Sequence, residues 1–197
     1  MNNVGKAGID PAFATPIYNV DCIDNLDNIT KEIENCLPKI DWKSKDEWGT
    51  THYLSTDSFS EDLFKQYKLN NLREQIQKHM ISFCQAVGYK PTPYRMEGWF
   101  TKFEKGNYAH IHNHGTADIS GVYYIQTTGD DGSIFFTSPC QAATCSHVFQ
   151  DVVGSARPYT PKKGTMIMFP SFLEHGVQTN DTDNTRISLS FNISFQR

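Results

Sequence analysis

At Tyr94 the chain changes period, and that change constrains its fold more than any other feature. From there on β-branched and aromatic residues dominate, in stretches at 95–104, 120–127, 133–138, 146–153, 164–169, 175–179 and 185–195. Alternation puts every second side chain on one face of an extended backbone, so each stretch reads as a strand. Turn signals such as Gly129-Asp130-Asp131-Gly132 and Asn180-Asp181-Thr182-Asp183-Asn184 separate them. Seven short strands in one half of a chain predict a sandwich, barrel or jelly roll.

Before Tyr94 the period is helical. Ile23, Leu26, Ile29, Ile33 and Leu37 mark one amphipathic helix over 22–36, stopped by Pro38. A second helical stretch over 61–87 carries Leu63, Phe64, Leu72, Ile76, Met80, Phe83 and Val87 before Gly88, with Ser60 as candidate N-cap and a break at Lys68-Leu69-Asn70-Asn71. No repeat, low-complexity run or linker divides the chain. The expectation is one domain over 1–197, with a helical part at about 20–90 and a strand-rich core at about 94–197. A chain of 197 residues buries roughly 70% of its unfolded surface, enough for a core without disulfides or a structural metal.

Charge narrows the function classes. With 22 acidic against 18 basic residues and a net charge of −4, the chain has no basic stripe for duplex nucleic acid; Lys102-Phe103-Glu104-Lys105 and Lys162-Lys163 are the densest basic pieces. There is no apolar run long enough to span a membrane, and Met1-Asn2-Asn3-Val4-Gly5-Lys6 lacks the apolar region of a signal peptide, so the expected location is cytoplasmic. Five cysteines (Cys22, Cys36, Cys84, Cys140, Cys145) contain no CxxC pair and suggest neither a disulfide framework nor a zinc knuckle.

The histidines are the chemical signal. His110, His112 and His114 alternate, and His175 stands apart downstream. In an extended strand, residues two apart share a face, so His-x-His delivers two imidazoles to one point and a distant segment can add a third. Imidazole suits Fe, Zn, Cu or Ni, and three protein ligands leave coordination positions for substrate. The competing reading is a solvated polar turn, since Gly106-Asn107-Tyr108 and Asn113-His114-Gly115 look loop-like. Ser171 lies in no nucleophile elbow, and no glycine-rich phosphate loop precedes a helix. Eleven positions after His175 (186 − 175 = 11) comes Arg186-Ile187-Ser188, opening the last strand. A guanidinium fork with a hydroxyl on the same face is a receptor for a carboxylate; a solvated edge arginine is the alternative.

Taken in order, Gly98-Trp-Phe-Thr-Lys-Phe-Glu-Lys-Gly106, His112-Asn-His114, Ile119-Ser-Gly-Val-Tyr-Tyr124, Gly164-Thr-Met-Ile-Met-Phe-Pro-Ser171, His175 and Arg186-Ile-Ser-Leu-Ser-Phe-Asn192 resemble the small 2-oxoglutarate- and Fe(II)-dependent oxygenases related to prolyl hydroxylases. Phe13-Ala-Thr-Pro-Ile17 and Trp48-Gly-Thr50 are similar to that group too, so the resemblance covers nearly the whole chain. It implies a double-stranded β-helix, the cupin-like jelly roll, braced by N-terminal helices. It also implies Fe(II), 2-oxoglutarate and O2 as the reagents, and hydroxylation of a C–H bond with release of succinate and CO2. Carried over, His112 and His175 match two iron ligands, Arg186 the cosubstrate clamp and Ser188 its hydroxyl partner, with Tyr124 a further donor to the cosubstrate or a packed barrel tyrosine.

The departure is at position 114, where the superfamily pattern has a carboxylate and this chain has His114. Three ligand sets compete: His112, His114 and His175, which is the favoured one; a set using Asp118; or a His110-x-His112 pair with His114 behind it. Two other classes also stand: a non-catalytic cupin-like binding module, and a zinc-dependent enzyme on the same barrel. Segments 41–60 and 139–162, with Trp42, Trp48, Tyr53, Arg157 and Tyr159, are expected to form the barrel mouth and suit a small molecule, a peptide or a nucleobase. Single-stranded nucleic acid and a homodimer both stay open.

Overall fold

The computed structural model describes residues 14–20, 24–45, 52–55, 63–140 and 145–196. Its frame is a seven-stranded antiparallel sheet in the order β1 (Tyr18–Val20), β9 (Met166–Pro170), β6 (Ile119–Gln126), β11 (Arg186–Phe195), β4 (Tyr94–Phe103), β3 (His52–Ser55), β2 (Trp42–Lys45). A four-stranded sheet, β5 (Ala109–His112), β10 (His175–Val177), β7 (Ile134–Thr137), β8 (Ala156–Tyr159), completes the jelly roll.

Helices cover the outer face of the larger sheet. In α1 (Leu26–Cys36) the buried residues Ile29, Ile33 and Cys36 recur at helical spacing, as do Leu72, Ile76, Met80 and Phe83 in α3 (Asn70–Ala86). The expected break before Asn70 is real: α2 (Leu63–Gln66) ends, Lys68 takes a left-handed φ of 55°, and Leu69 N donates back to Phe64 O. No side chain of α3's own N-cap residue caps it. Glu32 of α1 does so instead, accepting from Asn71 N at 2.9 Å and Leu72 N at 3.2 Å, which places an anion at the positive end of the helix. The proposed cap Ser60 lies outside the described residues, as do Trp48-Gly-Thr50 and Phe13.

Helix-side residues Met96, Phe100, Ile119, Tyr123, Met166, Met168, Leu189, Phe191 and Ile193 join the helices in one apolar cluster. Gly121 belongs to this face for a steric reason. A Cβ there would sit 2.3 Å from Phe191 Cζ and 2.8 Å from Ile167 O, so the aromatic ring lies flat only over a residue without a side chain. The opposite, inward face carries a smaller apolar cluster, including Val122, Tyr124, Phe136, Ile167 and Phe169, between the sheets.

One sequence expectation needs correction. Residues 146–153, read as a strand, contain helix α4 (His147–Val153). The β-branched valines suggest alternation, but the backbone bonds locally, Gln150 N to Ser146 O and Gly154 N to Gln150 O, between a serine and a left-handed glycine. The described part of segment 41–60 is a β2–β3 hairpin extending the sheet beside β4, with Tyr53 paired to Lys102 and Leu54 to Thr101, and His52 and Leu54 line the barrel cavity. Lys102 Nζ sits 4.2 Å above the Tyr53 ring. Among the described residues no helix is long and apolar enough to cross a membrane.

Candidate metal centre and anion receptor

His112 ends β5 directly opposite His175, which opens β10, so two residues 63 positions apart (175 − 112 = 63) become cross-strand neighbours with ring centroids 4.4 Å apart. His114 arrives from the turn after β5, its ring 5.2 Å from each of the other two. One nitrogen from each of the three rings lies within 4.8 Å of the others. His112 Nδ1 is 2.7 Å from His110 O, and His175 Nδ1 is 3.0 Å from Leu173 O. A ring that donates its Nδ1 proton to a carbonyl is fixed as the tautomer whose Nε2 lone pair is a metal donor.

Electrostatics favours the same state. Burial first, then the neighbouring His112, push the His175 pKa down to about 3, so this ring stays neutral through the physiological range. Neutral imidazole is the form that ligates. Phe169 and Phe136 wall His175 at 4.7 and 5.9 Å, and Trp99 flanks His114 at 5.6 Å.

The other ligand candidates are elsewhere. His110 is exposed, stands edge-on to Tyr108 and contributes its carbonyl to His112, not its ring to the cluster. Asp118 turns away: its carboxylate accepts from Phe195 N at 2.7 Å, and the residue lines a second, apolar cavity with Phe83 and Tyr89.

A cavity of about 310 Å³ runs from the histidines into the barrel and is lined by His112, His114, His175, Tyr124, Arg186 and Ser188. The last three share the inner face because β11 lies between β4 and β6. Ser188 pairs with Thr101 on one side and Tyr124 on the other, and Arg186 is opposite Phe103. Ser188 Oγ and Thr101 Oγ1 are 2.7 Å apart. The regular register from Ile193 opposite Ile119 to Ser188 opposite Tyr124 keeps Tyr124 in this row, and a bulge shifts β6 only beyond it, where Ile187 faces Gln126.

Arg186 is 2% exposed, and none of the ion pairs among the described residues includes it. Its guanidinium lies 4.2 Å over the Phe103 ring, Nη1 donates to the carbonyls of Asp131 and Gly132, and Nε is buried with no partner. Gly132 holds a φ of +95° with its Cα against Gln178 O, which a Cβ would meet at 2.4 Å. A buried cation with an unused N–H is costly unless an anion completes it. Burial also pushes the Tyr124 hydroxyl up to about 12, so it remains a donor. A neutral His175 clustered with two further imidazoles at one end and a buried guanidinium with an unpartnered Nε at the other fit a metal ion chelated by a dicarboxylate.

Sequence reasoning did not single out Thr101, although its parity with Trp99 and Phe103 in β4 was a usable signal.

The site thus joins a jelly-roll fold to three clustered histidines and a buried arginine with an unpartnered Nε, an arrangement suited to a metal ion and an acid. Residues 97–192, just under half of the chain, match the family model described as "Putative 2OG-Fe(II) oxygenase". Solved structures share the fold at low identity. A 2OG-Fe(II) oxygenase family oxidoreductase from Burkholderia pseudomallei is 13% identical, with 89% of this chain and 97% of that one covered and a TM-score of 0.60. A prolyl-4-hydroxylase from Pseudomonas putida gives 12%, 93% and 94% with a TM-score of 0.66. HygX from Streptomyces hygroscopicus, solved with nickel and 2-oxoglutarate bound, gives 11%, 92% and 84% with a TM-score of 0.65. A search of curated proteins finds no match.

Proposed function

We propose that the chain is a hydroxylase of this family that holds Fe(II) on His112, His114 and His175 and grips the far carboxylate of 2-oxoglutarate with Arg186, Ser188 and Tyr124. The observation that carries the reading is Arg186: a buried guanidinium with an unpartnered Nε in the same cavity as three clustered imidazoles. When bound, Fe(II) with 2-oxoglutarate and O2 supplies the oxidation that hydroxylates a C–H bond and releases succinate and CO2. Three neutral histidines leave the site one charge more positive than a set with a carboxylate, which a dianionic cosubstrate offsets. Arg186 contributes charge-assisted donors, Tyr124 stays protonated to donate, and Thr101 orients the Ser188 hydroxyl. Phe103 under Arg186 and Phe169 beside His175 supply apolar walls that exclude water from the cavity. The substrate is a small molecule or peptide that reaches the cavity Trp99 and Leu54 help to line. A cytoplasmic setting is supported by Cys84, Cys140 and Cys145, which are free thiols.

Anaerobic titration with Fe(II) and 2-oxoglutarate tests this reading: a weak visible charge-transfer band is expected. Absence of the band, with Zn(II) bound tightly instead, points to the zinc enzyme; absence with no metal bound at all points to a binding module.

A further inference from the structure

Three residues from separate motifs have no part in holding metal or cosubstrate, yet they meet inside the barrel. Ser120 of β6, Ser171 after β9 and Asn192 of β11 are far apart in sequence and form one hydrogen-bonded line. Ser120 Oγ donates to Asn192 Oδ1 at 2.8 Å and lies 2.8 Å from Ser171 Oγ. A hydroxyl has one proton; that of Ser120 is used on Asn192, so Ser171 is the donor to Ser120. Ser171 is fully buried and Ser120 is 1% exposed, where an unpaired hydroxyl is costly, so the line holds its members to one geometry.

The main chain of Ser171 carries the consequence. Its carbonyl accepts from His114 N at 2.9 Å and its N–H donates to Asp118 O at 3.1 Å, so one residue brackets both ends of the turn His114–Asp118. Ala117 N closes that turn on His114 O at 2.9 Å. Ser171 also begins the short segment that ends at His175, where Leu173 N returns to Pro170 O and Leu173 O receives the His175 ring. His114 has no strand to place it, since β5 stops at His112.

We infer that Ser171, anchored through Ser120 to Asn192, is a positioning residue that sets His114 against His175 in the metal centre. The inference rests on the proposed ligand set and extends it to three residues outside that set. Outer partners that orient ligands are typically worth about tenfold to a hundredfold in metal affinity.

Anaerobic titration with Co(II), followed by its visible absorption, reads both affinity and coordination geometry without turnover. Ser171→Ala and Ser120→Ala are expected to bind Co(II) about tenfold to a hundredfold more weakly and with a shifted visible band. Asn192→Ala, at the half-buried end of the line, shifts both the same way by less. A loss of packing alone would lower the melting temperature and leave the band of the saturated protein in place, which overturns the inference, as do wild-type affinity and spectrum in Ser171→Ala. Should Ser171→Ala not fold, Asn192→Ala decides by the same criteria. Failure of the unmodified protein to bind Co(II) overturns the ligand set itself and the inference with it, and is read before any variant is made.

Discussion

Strand β11 presents two faces that obey opposite rules. Towards the helices it shows Leu189, Phe191 and Ile193, each 0% exposed and packed in the larger apolar cluster. Towards the barrel interior it shows Arg186, Ser188, Ser190 and Asn192. One backbone, paired to the same two neighbours, thus carries a face whose burial stabilises the fold and a face whose burial costs stability. The polar face is tolerable because it is small and satisfied mostly within itself, through Thr101 to Ser188 and through Ser120 to Asn192. Arg186 Nε is the exception, and it belongs to a residue lining the same cavity as the three histidines.

Substitution should separate the faces. The largest effect is expected from Arg186→Ala, which removes charge-assisted bonds to the cosubstrate: the Kd for 2-oxoglutarate rises about a hundredfold, read by anaerobic titration, with only a small change in denaturant midpoint. An unchanged Kd would strip the inner face of its assigned role. Leu189→Ala should do the reverse, costing about 2–5 kcal/mol in chemical denaturation while folded protein keeps its 2-oxoglutarate affinity. If that variant instead lost affinity at full stability, the division between faces would fail.

The smallest effect concerns His79 on α3, whose Nδ1 is 3.0 Å from Tyr18 Oη and whose Nε2 is buried unpartnered. Burial, aided by Lys78, holds its pKa below the ordinary histidine value of 6.5. As pH falls through about 6.5 the unfolded chain takes the proton before the folded one, so stability declines in that direction and is unaffected above it. His79→Gln should flatten part of this decline in metal-free protein and leave cosubstrate affinity alone. A decline of the same slope in the variant would remove His79 as its source.

How much of this was legible follows from where each residue's partners lie. The long strands β4, β6 and β11 were readable because each has a continuous apolar side supplied by its own sequence. The short strands β2, β5 and β8, reading Trp-Lys-Ser-Lys, Ala-His-Ile-His and Ala-Arg-Pro-Tyr, carry no strand signal of their own, because they take their conformation from neighbours rather than from pattern. His112 and His175 could be paired from spacing and resemblance. That Asp118 is spent on Phe195 N could not, since it depends on a turn held by Ser171. Arg186 was identifiable by its offset from His175, whereas the carbonyls that aim it come from a loop more than fifty positions earlier.

That loop has a consequence for how such a protein can vary. The acceptor that steers the guanidinium is the carbonyl of Gly132, a residue pressed against Gln178 O and held in a left-handed conformation. Any side chain there must displace the backbone that bears the carbonyl. The grip proposed for Arg186 is therefore inherited from a residue with nothing to grip with, and mutational drift at this turn is closed to everything but glycine.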